Sequence, residues 1–303
     1  MKSSNIGGQA VMEGVMMRNA DKYAVAVRKT DGEIVVKTEE YKGIVQNKKI
    51  RSLPIIRGVF SFIDSMVLGM STLTYSASFF MDEEEEEKDE KKESVMMGLT
   101  IACSVVMAVA IFMILPYFLS QLFRKFTDST TLITLLEGAV RLVIFFGYIL
   151  LISRMKDIQR VFMYHGAEHK CINCIEHGME LNVENVLKSS RLHKRCGTSF
   201  LFIVMIVSII FFLFIRIESP IWRVVFRLLL IPVIAGVSFE FIRLAGKSEN
   251  KLVILLSKPG MMLQKLTTRE PDASMAEVAI AAVEAVFDWR AYLKENFGWQ
   301  EKV

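Results

Sequence analysis

The sequence predicts a mainly α, polytopic membrane protein with four transmembrane helices, a small N-terminal β-hairpin region and a cytoplasmic His/Cys-rich helical loop. Three observations carry that prediction. More than half of the 303 residues are apolar and they are bunched into long runs. Lysines and arginines gather in particular connections between those runs. All four histidines and three of the four cysteines fall between Tyr164 and Phe200.

Met1 to Asn19 has no basic start leading into an apolar run and a small-residue cleavage site, so the amino-terminal part is expected to begin in the cytoplasm. Within it, residues 5–18 combine three glycines with Glu13 and Arg18 between apolar positions, which reads either as a glycine-rich loop leading into a strand or as the lining of a site. Tyr23–Arg28 and Glu33–Lys37 are β-rich runs separated by Lys29-Thr30-Asp31-Gly32, a hairpin signal. Residues 1–52 are thus expected to form a cytoplasmic Gly-rich and β-hairpin region. Residues 53–81 are apolar and helical, but a span there would pull the preceding basic region across the membrane, so they read as an interfacial or re-entrant helix.

Residues 82–97 form an acidic linker, whose Asp82–Glu93 portion holds nine acids and three lysines. The rest of the chain therefore carries +10. No aromatic-interleaved basic patch accompanies that excess, and the sequence points to no nucleic acid partner. The four spans follow at 98–123, 132–153, 197–215 and 220–245. Pro116 is placed to kink the first. Glu137 and Arg141 lie one helical turn apart in the second and can neutralise each other, while Arg223 and Arg227 can snorkel from the start of the fourth. The loop between Arg154 and Arg195 holds eight lysines or arginines, which orients it and both termini to the cytoplasm of an inner-membrane protein. Its thiols then stay reduced, and lone Cys103 reads as a small hydrophobe. In the tail, residues 246–303, Ser274–Tyr292 reads as an amphipathic helix capped by Ser274 with Glu277 three residues on, packed on the cytoplasmic face. The lipid bilayer is the expected partner; self-association into a homo-oligomer is left open.

The chemistry lies in the central loop. His165-Gly-Ala-Glu168-His169 is an inverted zinc-protease pattern, followed by Cys171-x-x-Cys174 and His193-x-x-Cys196. If Val161–Cys174 is helical, His165 and His169 share a face and can bind one divalent metal, with zinc the best fit. Glu168 then stands beside them as the catalytic residue that deprotonates water. His193, Cys196 and Glu240 are candidates for the third ligand, His193 first because it buries no charge; Glu240, about 7 Å in rise from its helix end, is an intramembrane acid that needs a partner. Cys171 and Cys174 point progressively away from the histidine pair, and they rank with Glu13 and Arg18 as possible accessory residues. His177 reads as a helix end before Gly178. Two readings stand: a metal-dependent hydrolase at the cytoplasmic membrane face, or a non-enzymatic scaffold, assembly factor or transporter with a structural metal site.

Gly7-Gly-Gln-Ala-Val-Met-Glu-Gly-Val-Met-Met-Arg18, Tyr164–Lys170, His193–Phe200, Glu240 with Arg243, Pro259-Gly-Met and Thr267-Thr-Arg-Glu-Pro271 together resemble the YqhQ-like family of bacterial membrane proteins. The resemblance covers nearly the whole chain. It implies a multi-span membrane protein with a suspected metal site and no established substrate, and it adds Glu13, Arg18, Arg57 and Glu270 to the signature.

Overall fold

A computed structural model describes residues 2–80, 90–215, 217, 219–247 and 250–300. The chain divides into two units, one of Met1–Phe80, Ser153–Ile203 and Ala235–Val303, the other of Met81–Ile152 and Val204–Ile234.

The first unit is built on an antiparallel meander of four strands, β1 (Gly7–Val11), β2 (Gly14–Asn19), β3 (Lys22–Arg28) and β4 (Ile34–Glu40). The expected hairpin is present as β3 and β4, with Gly32 at φ +91° in its turn. The glycine-rich stretch is not a loop but two further strands. Val11 pairs with Gly14 across a tight turn in which Glu13 adopts φ +48°. Gly14 is required there because a Cβ would stand 2.2 Å from the Ala26 carbonyl oxygen of the neighbouring strand.

Side-chain alternation gives the sheet two apolar faces. Val15, Met17, Ala24 and Ala26 join one core with α6 (Lys156–Glu176) and α11 (Ala273–Val286). Met16, Tyr23, Val25 and Val27 join a second core with Leu68 of α2 (Ile56–Ala77), flanked by Tyr75. A short α1 (Lys48–Ser52) precedes α2. On α2 the buried positions Asp64, Leu68, Thr72 and Ser76 recur every fourth residue, and the stripe is mostly polar. Asp64 accepts from the Ile44 N–H (2.8 Å) and Tyr41 hydroxyl (3.1 Å), and Ser76 accepts from the Met12 N–H (3.0 Å). Ile63, Met66, Val67, Met70 and Leu73 are exposed on the other side. The helix therefore turns its polar stripe to protein and its apolar face outward.

Also in this unit, α7 (Val183–Lys188) follows α6, and α10 (Lys251–Thr267) continues through Pro259. The tail differs from expectation. Its helix is capped by Asp272, which accepts from the Met275 N–H, rather than by Ser274. It also breaks at Phe287, and Asp288 caps a separate α12 (Trp289–Phe297). α11 is buried against the sheet and α6, where its alanine-rich surface permits close approach.

In the second unit α3 (Glu90–Val109) leads through a π turn at Ala110–Ile114 into α4 (Leu115–Gln121), where Pro116 sits at the start as its missing N–H requires. Residues 90–97, expected as linker, are helical; the rest of the acidic run, 82–89, lies outside the described residues. α5 (Thr130–Ile152) carries Glu137 and Arg141, paired at 2.9 Å as expected. Arg227 does not snorkel. It turns inward to grip both Glu137 oxygens, while Arg141 also donates to Ser208 Oγ at 3.2 Å. Two arginines share one carboxylate because an isolated buried charge is expensive.

Four helices among the described residues are long and apolar enough to cross a membrane: Ile56–Phe80, Gly98–Lys125, Thr130–Ile152 and Ile221–Gly246. The number matches the sequence reading but the membership does not. The expected span 197–215 is α8 (Gly197–Leu213), only 17 residues long, whereas the region set aside for its charges qualifies by composition. α9 (Pro220–Lys247) extends the expected fourth span at its end.

Candidate metal centre

The site is built on α6, all of it within the first unit. No proline or glycine run interrupts the helix, and from Tyr164 to Glu176 every residue but His165 is buried. His165 and His169 stand one turn apart with ring centroids at 4.4 Å. His165 Nδ1 lies 2.8 Å from the Thr267 carbonyl oxygen and His169 Nδ1 2.7 Å from that of Arg191. A carbonyl can only accept, so both Nδ1 atoms carry the proton and both Nε2 lone pairs face the neighbouring Cys196 and Glu168.

Cys196, at the entry to α8, completes the group. Its Sγ is 3.3 Å from His165 Nε2 and receives the Thr198 backbone N–H at 3.3 Å. The ligand atoms of His165, His169 and Cys196 all lie within 4.8 Å of one another. Glu168 is the fourth member, with an oxygen 3.5 Å from His169 Nε2 and only 4% of its surface exposed. Burial pushes its carboxyl above the usual carboxylate range, partly opposed by the two histidines His165 and His193. Burial likewise pushes the His169 imidazole down, which favours the neutral, ligating form.

The glycine-rich N-terminal segment covers this carboxylate. A Cβ on Gly8 would lie 2.9 Å from Glu168 Cγ and 2.5 Å from the Met16 carbonyl oxygen, so β1 can cross here only with glycine. Of this segment, Gly8 is the residue packed directly on Glu168. Glu13 anchors the same hairpin to α6, pairing with Arg160 through its Nε and Nη2 and accepting from the Tyr164 hydroxyl at 3.3 Å.

His193, ranked first as third ligand, is elsewhere engaged. Its Nε2 faces Glu176 Oε2 at 3.4 Å, and its backbone is held by Gln264 on both sides, N–H to Oε1 at 2.9 Å and Nε2 to the carbonyl at 2.8 Å. Glu176 also accepts from the Ser4 N–H (2.7 Å) and hydroxyl (2.8 Å) and from Arg195. Burial alone would raise this carboxyl, but the His193 hydrogen bond and the Arg195 charge outweigh it and hold it at about 2. Glu240 has also found a different partner: it is clamped by Arg57, with Arg57 Nε at 2.6 Å, where Gly58 meets Gly236 of α9.

Cys171 and Cys174 point away into the core, where burial pushes both thiols up, Cys174 to about 12, and leaves them protonated. His177 ends α6 as expected, ahead of Gly178 at φ +81°. Arg18 donates to the Ala20 carbonyl at 2.7 Å and stacks on Tyr41. Glu270 pairs with Lys170 (2.9 Å) and Arg191 (3.2 Å), fixing the stretch of chain that supplies the Arg191 carbonyl. Glu176 and Gln264 escaped the sequence reading, although Glu176 lies eleven residues after His165 and hence on the same helical face; Thr267 entered it only as part of a family motif.

Fold and site together define a class: a chain with several helices long and apolar enough to cross a membrane, and a largely buried His/Cys group gathered at a packed helix with a carboxylate beside it. The chain belongs to the DUF1385 family of proteins of unknown function, whose family model matches residues 53–289. It is 36% identical over 301 residues to the uncharacterized protein YqhQ of Bacillus subtilis (strain 168), covering 96% of this chain and 94% of that relative. The YqhQ-like resemblance read from the motifs is thereby established. No solved structure matches.

Proposed function

We propose that the chain is a metal-dependent hydrolase acting at the cytoplasmic face of the membrane, with His165, His169 and Cys196 as ligands of a divalent ion and Glu168 as the proton carrier. The observation that carries this reading is the convergence of three ligand atoms within 4.8 Å, in a buried setting, on a carboxylate whose proton affinity burial has raised. The donor set fits zinc. Zinc–nitrogen and zinc–sulfur bonds of ~2.0–2.3 Å in a tetrahedron place ligand atoms about 3.3–3.6 Å apart, within reach of small side-chain adjustments. Both Nε2 atoms are already presented in the ligating tautomer.

When bound, such an ion would supply Lewis-acid activation of water at the open fourth position. The residues do the rest. Glu168, kept from bulk solvent under Gly8, takes a proton from the attacking water and returns it to the departing alcohol or amine, as the water oxygen bonds to the acyl carbon and the carbon–oxygen or carbon–nitrogen bond breaks. The carbonyls of Thr267 and Arg191 hold the imidazoles and favour positive charge on the ligand set.

The cytoplasmic location is supported by parity. The sheet, α6 and α11 share one core, and a shared core lies on one side of a bilayer. The chain between β4 and α6 then crosses an even number of times. Gly98–Lys125 and Thr130–Ile152 supply two crossings, which leaves α2 in the interface, in keeping with its outward apolar face. α8 and α9 form a second pair, since 17 residues rise ~26 Å, close to the ~30 Å hydrocarbon thickness. The eight basic residues between Arg154 and Arg195 mark the shared side as cytoplasmic.

The test is metal analysis of gently purified wild type, Cys196→Ser and Glu168→Gln, with cobalt exchanged for the native ion. The expected result is about one ion per chain in wild type and Glu168→Gln, and a thiolate-to-cobalt charge-transfer band lost in Cys196→Ser. A cobalt spectrum that titrates with pH in wild type and shifts in Glu168→Gln supports an open, catalytic site. A spectrum indifferent to pH would assign the ion a fastening role, and wild type without metal would sink the reading altogether.

A further inference from the structure

Beside the metal group lies a cavity of about 670 Å³, formed within the first unit and large enough for much of a lipid-sized ligand. Its lining combines the cationic side chains of Arg18 and Arg195, beside Cys196, with the rings of Phe62 of α2, Phe200 of α8 and Phe239 of α9. Among the described residues no carboxylate lines it.

The two arginines are not equivalent. Arg195 is answered by the buried carboxylate of Glu176. Arg18 is held in place by the carbonyls of Ala20 and Tyr41 and by the Tyr41 ring, yet among the described residues no carboxylate pairs with it. A guanidinium fixed in position, half-buried and without a counter-charge is a ready acceptor site for an anion, and its fork matches phosphate. The phenylalanines stand on helices that also carry exposed apolar residues, Met66 and Met70 of α2 among them.

We infer that the substrate of the proposed hydrolase is an acidic phospholipid, its phosphate held by Arg18 and an acyl chain laid along Phe62, Phe200 and Phe239, with the ester linkage between them brought toward Cys196. The inference rests on the enzymatic reading of the metal group only for the word substrate; occupancy of the cavity is testable by itself.

The experiment uses the full chain in phosphatidylcholine nanodiscs, with binding of dioleoyl phosphatidic acid, dioleoylglycerol and oleate measured beside zinc content. The expected result is that phosphatidic acid binds at least about tenfold more tightly than dioleoylglycerol, the gain due to one charge-assisted Arg–phosphate contact. Arg18→Gln should remove that preference, and Ser65→Trp, which fills the cavity from α2, should abolish binding of all three. Both variants should keep the zinc content of wild type, because neither position touches the ligands. Equal binding of phosphatidic acid and dioleoylglycerol, or binding unaffected by Ser65→Trp, overturns the inference. Oleate binding as tightly as phosphatidic acid overturns the choice of phosphate. Phosphatidic acid binding by a wild type that holds no metal would overturn the hydrolase while leaving the lipid pocket in place.

Discussion

Two glutamates on one helix face have been given opposite characters by their surroundings. Glu168 is buried beside imidazoles and beneath a glycine, so its proton is held more tightly; Glu176 is buried against Arg195 and His193, so its negative charge is stabilised. The second has a measurable consequence. A carboxyl near 2 in the fold and 4.5 when unfolded contributes stability that is present above pH 4.5 and drains away as pH falls toward 2, on the order of 3 kcal/mol in full. Chemical denaturation followed across that range should show Glu176→Gln less stable than wild type at neutral pH, with the difference shrinking toward pH 2. A gap that stays constant over the window would remove the charge from the explanation. Gly166 provides a second test at this scale: a Cβ there would stand 2.0 Å from the Arg269 carbonyl oxygen, whereas one on Gly7 would meet nothing. Gly166→Ala should therefore lose about 1–3 kcal/mol or more in thermal unfolding and Gly7→Ala almost nothing; equal melting temperatures would contradict the close approach.

Among the elements, α6 is the one most legible in the sequence, because spacing alone puts His165, Glu168 and His169 within one turn, and that relation survives any tertiary context. The third member of the group is not legible in this way. Whether His193, Cys196 or Glu240 reaches the pair depends on loop paths, and these are decided by Gln264 holding the His193 backbone and by Arg57 engaging Glu240. For α2 the two signals diverge: its basic approach argues against a span, while its length and composition allow one. What the sequence does not reveal is that its polar stripe faces a sheet, since two of the four strands are hidden in a glycine pattern that reads equally as loop. Capping also misleads, because both Asp272 and Ser274 suit an N-cap and only the chain's approach selects Asp272.

For the molecule as a whole, the parity of crossings predicts a definite labelling pattern. In a background of otherwise unreactive cysteines, a single cysteine at Asp128, between Gly98–Lys125 and Thr130–Ile152, should react with an impermeant thiol reagent in intact cells. Single cysteines at Thr38 and at Glu270 should react only after lysis. Labelling of Thr38 together with Asp128 would mean that the sheet and α6 are separated by the bilayer, which their shared core forbids. That shared core also sets the order in which the protein can be made. Val15, Met17, Ala24 and Ala26 emerge early in synthesis, but Met275, Ala279 and Val283, which cover them, come near the end. At ~5–20 residues per second the ribosome delivers the cover only after some tens of seconds. During that interval the nascent sheet presents bare apolar strands, so production of this protein should depend on a chaperone that shields the N-terminal segment until its last helices arrive.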